Sequence, residues 1–326
     1  HVLLFKHDIR INAHTSKDLT SFEGEFPSGS LGVWLAAEAQ RFAAPVFRDF
    51  RAERGVVLQE LKDGDSETRR EMDRFYALAF ANTPYAWSTI GHERDVRTIS
   101  PSSVATFYEA HYAPSNAIGV LVGDFSVVDA KRLLEKTFAL IPDRPITPRP
   151  KIVAQQPRRL KIEHAGSQHQ LLIALEVPAG WSRDELAMPM FAAIQLQGLA
   201  VKSSTRAAGF PRAFIGPDNA GPHLVGLRAP IRKGHTAAEA EAEIFEFFKK
   251  LQLDQRSVDE ASDFVERSRL QAERRPVPLA IALGERAIFD GNWKVVLSRP
   301  RVQAADVEAF RASITPDRMW IVELVP

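Results

Sequence analysis

Cysteine is absent from the 326 residues, which excludes disulfides and any thiolate metal site. That absence suits an exported protein as well as a cytosolic one, so periplasm and cytoplasm both stay open, with the periplasm preferred. No apolar run approaches the roughly 18 to 20 residues needed to span a bilayer. Nor does one sign of charge dominate, since Lys plus Arg number 42 against 41 for Asp plus Glu, a net charge of +1. Such a balance creates no global field to recruit nucleic acid or an anionic membrane, and nucleic-acid binding is discarded as a leading idea. What is present is ordinary for a globular protein, with 45% hydrophobic and 25% charged residues. The chain is long enough for two domains of typical size, each with its own core.

Chemistry concentrates first in Glu53 to Glu60, read as Glu-Arg-Gly-Val-Val-Leu-Gln-Glu. This stretch lies in a run, residues 45–76, whose charge and apolar spacing predict one or two long amphipathic helices. Seven residues separate the two carboxylates, close to two helical turns, so Glu53 and Glu60 share a helix face. Val56, Val57 and Leu58 lie between them, which predicts carboxylates bordering apolar packing and needing a cation, a donor or a metal. A plainer reading makes this an ordinary charged helix with Arg51 and Arg54 as exposed partners.

Other blocks fall around this one in a recognisable order. Upstream stands Asn12-Ala13-His14-Thr15-Ser16-Lys17-Asp18-Leu19-Thr20-Ser21-Phe22; downstream come Pro84-Tyr85, Ile90-Gly91, Phe107-Tyr108, Tyr112-x-Pro114-x-Asn116-Ala117 and Val122-Gly123-Asp124. Together with Glu-Arg-x-Val-Val-x-x-Glu, these blocks resemble the pitrilysin/insulinase family of inverted zinc peptidases, densely over the first 140 or so residues and loosely beyond. The resemblance implies Zn2+ as cofactor and Glu60 as a zinc ligand, with Glu53 orienting a ligand histidine or tuning the site. It further implies that Asn12 and Ala13 hold substrate backbone on an edge strand, to which an extended peptide adds as a further strand. His14 on that strand is read as structural or exposed.

The family's zinc helix reads His-x-x-Glu-His, where two histidines one turn apart bind the metal and the Glu acts as general base. Here His1-Val2-Leu3 aligns with the first half of that motif, or His1 stands for its second histidine; the first alignment is preferred. His1 is the only candidate imidazole ligand, and the general-base Glu is not in this sequence. The chain opens without methionine or leader, which is read as processing or omission, with a complete zinc site expected in the intact protein.

Alternation over residues 9–26 predicts extended structure, with Ile11, Ala13 and Thr15 on one face and Arg10, Asn12 and His14 on the other. Helices are predicted over 31–42, 67–81, from Ser100-Pro101 onward, over 127–139, 184–197, 237–251 and 258–274. Strands are predicted over 117–122, 160–162, 171–177 and 224–231. Pro142, Pro145, Pro148, Pro150 and Pro157 crowd a semi-rigid connector. The expected organisation is a metal-bearing domain at 1–142, a linker at 143–157 and a homologous domain without metal residues at 158–326.

An internal repeat joins the halves. Val104 and Phe107 precede Pro114 and Ile118; Val307 and Phe310, 203 residues on, precede Pro316 and Ile321. The family resemblance implies the same architecture, an α+β fold of two homologous domains, each an antiparallel sheet covered by helices. It also implies a chamber of four such domains, so a homo- or heterodimer with a second two-domain subunit is expected. Family sites receive an Arg and Tyr pair for the substrate carbonyl. This chain has Arg228 and Arg232, but its last tyrosine is Tyr112. The function expected is a zinc-dependent endopeptidase subunit acting on extended peptides or unfolded segments. The alternative is a non-catalytic peptide-binding or assembly subunit of the same family.

Overall fold

A computed structural model describes residues 2–163, 166, 168–177, 206–209, 211–216, 221–289, 291–296, 301–312 and 314–326. His1, His164 and the helix expected over 184–197 lie outside the described residues. In chain order the first half runs α1 (Val2–Lys6), β1 (Arg10–Thr15), β2 (Thr20–Glu25), α2 (Leu31–Ala43), α3 (Phe50–Asp63), α4 (Glu67–Ala79), α5 (Glu93–Thr98), α6 (Pro101–His111) and α7 (Val127–Lys136). The second half runs β3 (Arg159–Glu163), β4 (Gln170–Glu176), β5 (Arg212–Gly216), β6 (Leu224–Pro230), α8 (Ala237–Lys250), α9 (Gln255–Glu273), α10 (Pro276–Phe289), α11 (Ala304–Ala312) and β7 (Trp320–Val325). This is an α+β fold, as expected.

Local chemistry accounts for the helix ends. The run at 45–76 divides into α3 and α4 at Gly64, and the Ser66 hydroxyl accepts from Arg69 N at 3.2 Å to start α4. Ser100 does the same for α6 ahead of Pro101, whose missing N–H costs nothing in the first turn. Thr236 and Glu239 close a reciprocal capping box at the head of α8. By contrast, residues 117–122 form no strand. Ala117 has extended backbone (φ −128°, ψ 144°), but extended torsions make a strand only where a partner supplies the ladder.

Packing gathers the chain into two units that interleave in sequence. The first comprises His1–Gly64, Thr89–Pro150 and Gln271–Arg299; the second comprises Asp65–Ser88, Lys151–Leu270 and Pro300–Pro326. Shifted by the 203-residue spacing of the repeat, α4 falls on 270–282 and overlaps the first half of α10, and each of the two helices packs in the unit built mainly from the other half.

In the second unit five strands lie in the order β3-β7-β4-β6-β5, antiparallel except for the parallel pair of β3 and β7. The central strand β4 reads Gln-Leu-Leu-Ile-Ala-Leu-Glu, an apolar run suited to burial on both faces. Leu171, Ile173 and Leu175 share a core with Ile244, Phe247 and Phe248 of α8, Val258 of α9 and Phe310 of α11. Leu172 and Ala174, on the opposite face, pack with Phe75 and Ala79 of α4.

The first unit is thinner. Its hairpin pairs Arg10 with Glu25 through to Thr15 with Thr20. Ile9, Leu31, Trp34, Leu35 and Ala130 make a small core. Gly24 is required beneath Trp34, because a Cβ there would stand 2.5 Å from the indole ring.

Candidate functional site

β1 is exposed along most of its length, Asn12 and Ala13 included, and every described ladder bond it makes goes to β2. Its outer edge carries no strand among the described residues, which leaves a row of main-chain donors and acceptors open to an extended chain. Asn12 faces Glu23 across the hairpin and Ala13 faces Phe22. His14 is held within the hairpin: its Nδ1 shares a hydrogen bond with Glu23 Oε1, which also accepts from Ser21 Oγ at 3.2 Å. Its role there is structural.

α3 places Glu53 and Glu60 on one face, and both are exposed. Apolar packing between them is partial, with Val57 and Leu58 half-buried. None of the helix is buried, and Val56 is 52% exposed. Alternate charged and small residues give α3 no continuous apolar stripe, so the carboxylates stay solvated without a compensating cation. Arg54 is not their partner either; its guanidinium donates to the carbonyls of Arg97 and Ile99 at 3.2 and 3.4 Å, at the C-terminal end of α5.

Spacing limits what the two carboxylates can do together. Seven residues at 1.5 Å each separate them by about 10 Å along the axis, whereas zinc–oxygen bonds are about 2.0 to 2.2 Å. One metal ion can therefore take only one of them. Among the described residues no group of three or more His, Asp or Glu could hold a metal. The described side chains do not by themselves fit zinc, which takes about four ligands. No hydrolytic step is built on them here.

Arg228 lies on β6, as expected, but in a buried network. Its Nε donates to Gln170 Oε1 at 2.6 Å, and Nη2 pairs with Glu71 Oε2. Arg232 is exposed. Glu71 was not foreseen, yet the signal was there: with Phe75 and Ala79 it occupies the buried stripe of α4 at intervals of four residues. A carboxylate on an apolar stripe calls for a cation from the facing sheet. Glu243 was also missed. Its oxygens accept the N–H groups of Arg206, Ala207 and Ala208 at 2.8 to 3.0 Å and fix that turn to α8. Burial pushes its carboxyl up, but the three N–H donors outweigh this and hold it below the usual range.

Comparison with known proteins places these features in context. The family model described as the peptidase M16 inactive domain matches residues 98–263. Zinc protease PqqE of Helicobacter pylori is 28% identical over 187 residues, 54% of this chain and 42% of that protein. A probable mitochondrial-processing peptidase subunit beta of Arabidopsis thaliana is 23% identical over 150 residues, 45% of this chain and 28% of that protein. The chain therefore spans less than half the length of either relative. Among solved structures, a protease from Helicobacter pylori has the same fold, with a TM-score of 0.78 at 18% identity over 100% of this chain and 83% of that one. No described helix is long and apolar enough to cross a membrane.

Proposed function

Since the chain belongs to the M16 peptidase family, we propose that it holds extended polypeptide along the open edge of β1, as one subunit of a zinc-dependent endopeptidase. The observation that carries this reading is β1 itself. It is a solvent-facing strand with one bonded edge and one open edge, and its exposed residues include Asn12 and Ala13. Strand addition there selects extended chain over sequence, because main-chain groups form the bonds. Glu60 is the residue offered to zinc, with His1 and further donors completing the set. Glu53, two turns away, acts on the site indirectly through a ligand it orients. Zinc, when bound, would supply an activated water for amide hydrolysis. The relatives named as a zinc protease and as a processing-peptidase subunit support both the chemistry and a second two-domain partner, identical or not.

A second reading keeps the fold and the polypeptide site without cutting. It draws support from the family model matched, described as an inactive domain, and from the lack, among the described residues, of a group of three or more His, Asp or Glu that could hold a metal. Native mass spectrometry of the purified protein in zinc-containing buffer, followed by a peptide-cleavage assay, separates the two. The peptidase reading expects a paired chain with bound zinc, and Glu60→Gln should weaken zinc binding at least tenfold and abolish cleavage. Unchanged zinc binding and cleavage in Glu60→Gln would refute the ligand assignment. Peptide binding with neither zinc nor cleavage selects the second reading.

A further inference from the structure

The hairpin of β1 and β2 pairs Arg10 with Glu25 through to Thr15 with Thr20 without interruption, and across its turn Ser16 N donates to Leu19 O at 2.9 Å. Bonded and non-bonded pairs alternate along an antiparallel ladder, so that one bond sets the phase of the whole hairpin. Ser16 and Leu19 are a bonded pair, and hence so are His14 with Ser21, Asn12 with Glu23 and Arg10 with Glu25. The main-chain groups of Ile11, Ala13 and Thr15 therefore point the other way, to the open edge. Ile9 shares their phase, and its N–H indeed leaves the hairpin, donating to Leu4 O at 3.0 Å.

Side chains divide with the same period. Ile11, Ala13 and Thr15 share one face of the hairpin with Thr20, Phe22 and Gly24. α2 lies on that face, with Trp34 against Gly24 and the Arg41 guanidinium 4.2 Å from the centre of the Phe22 ring. Arg10, Asn12 and His14 share the opposite face with Ser21, Glu23 and Glu25. There the Glu23 carboxylate is bound by His14 Nδ1 and by Ser21 Oγ, a network of polar groups alone. One face of β1 is thus mainly apolar and the other is charged and hydrogen-bonding.

A strand added to β1 extends both faces at once, because directly opposed residues set their side chains on the same side of a sheet. We infer that the β1 edge reads alternation: it takes extended segments with apolar residues opposite Ile11 and Ala13 and polar residues opposite Asn12 and His14, in preference to segments of the same composition without that period. The preference rests on the reading that β1 holds extended polypeptide, and it adds the class of polypeptide held. Pattern fixes register as well, since a slip of one residue moves every side chain to the wrong face. The two residues expected to hold the occupant also separate in role. Ala13 offers its main-chain N–H and C=O beside a small side chain, whereas Asn12, whose main chain is committed to Glu23, meets the occupant with its side-chain amide.

The test uses the full chain and two lysine-flanked peptides of equal composition, alternating Val-Thr-Val-Thr-Val-Thr and blocked Val-Val-Val-Thr-Thr-Thr. Amide hydrogen exchange over 10–15, read by mass spectrometry against peptide concentration, gives the affinity of each. The alternating peptide should bind about tenfold more tightly, because several cross-strand pairs act together. Ile11→Asp, at a position 45% exposed, makes the apolar face polar and should bring the ratio of the two affinities close to one, with exchange over 20–25 reporting that the hairpin stays folded. Equal binding of the two peptides by the parent, or a ratio that Ile11→Asp leaves unchanged, would overturn the preference and leave the extended-polypeptide reading in place. Protection of 10–15 by neither peptide would overturn that reading and the preference with it.

Discussion

Removing one member of the Glu71–Arg228 pair should destabilise the second unit far more than removing both. The pair joins α4 to β6, and the side chains are 4% and 16% exposed. Leaving one such charge behind in a buried site costs about 3 to 5 kcal/mol. Arg228 keeps some water and the Gln170 oxygen at 2.6 Å, which places Glu71→Leu near the low end, about 3 kcal/mol. With a urea m-value of about 3 kcal/mol/M, the unfolding midpoint should fall by about 1 M. The double variant Glu71→Leu/Arg228→Leu replaces the pair with apolar volume and should return to within about 1 kcal/mol of the parent. Urea titrations of the four members of the cycle measure the coupling directly, and it should exceed about 2 kcal/mol. Single variants that each cost under about 1 kcal/mol, or costs that simply add, would refute a buried, mutually dependent pair.

Glu243 makes stability depend on acid in a defined sense. Its folded pKa is lowered, so its contribution is complete above the unfolded value of about 4.3 and is lost as pH falls through the lower folded value. Glu243→Gln should therefore lower the melting temperature at neutral pH and flatten its decline below about pH 4.5, a difference that melts across a pH series would read. Separate fragments 1–150 and 151–326 should each lack a cooperative transition and regain one on mixing, because α4 and Tyr85 belong to the second unit's core and leave with the first fragment. A second fragment that unfolds alone with the parent's midpoint would contradict the exchange of helices.

Much of this was legible in the residues, for identifiable reasons. The alternation from Ile9 to Phe26 marks extended structure because side chains on a strand have period 2, and the structure folds it into a hairpin; Ser66 and Ser100 mark helix starts by their own hydrogen bonds. Helix α10 was not predicted; its prolines, Pro276 and Pro278, stand in the first turn, where proline sacrifices no bond. The surroundings of Glu53 and Glu60 were not legible. Spacing tells which face two residues share, but only tertiary structure tells what that face meets. Residues 117–122 have the composition of a strand and the torsions of one at Ala117, yet pairing is a property of two segments, and one segment cannot announce the other.

The joint between α3 and α4 falls where the chain passes from the first packing unit to the second. α3 ends at Asp63 and α4 begins at Glu67, so only three residues connect the helix of Glu53 and Glu60 to one anchored in the second unit. That anchor is substantial: Phe75 and Ala79 are buried against β4, and Glu71 is paired with Arg228. No residue of α3 is fully buried, though Phe50, Val57, Leu58 and Leu61 are half-buried, and Arg54 bonds to the end of α5. The C-terminal end of α3, nearest Glu60, is joined by the chain itself to a helix packed in the second unit.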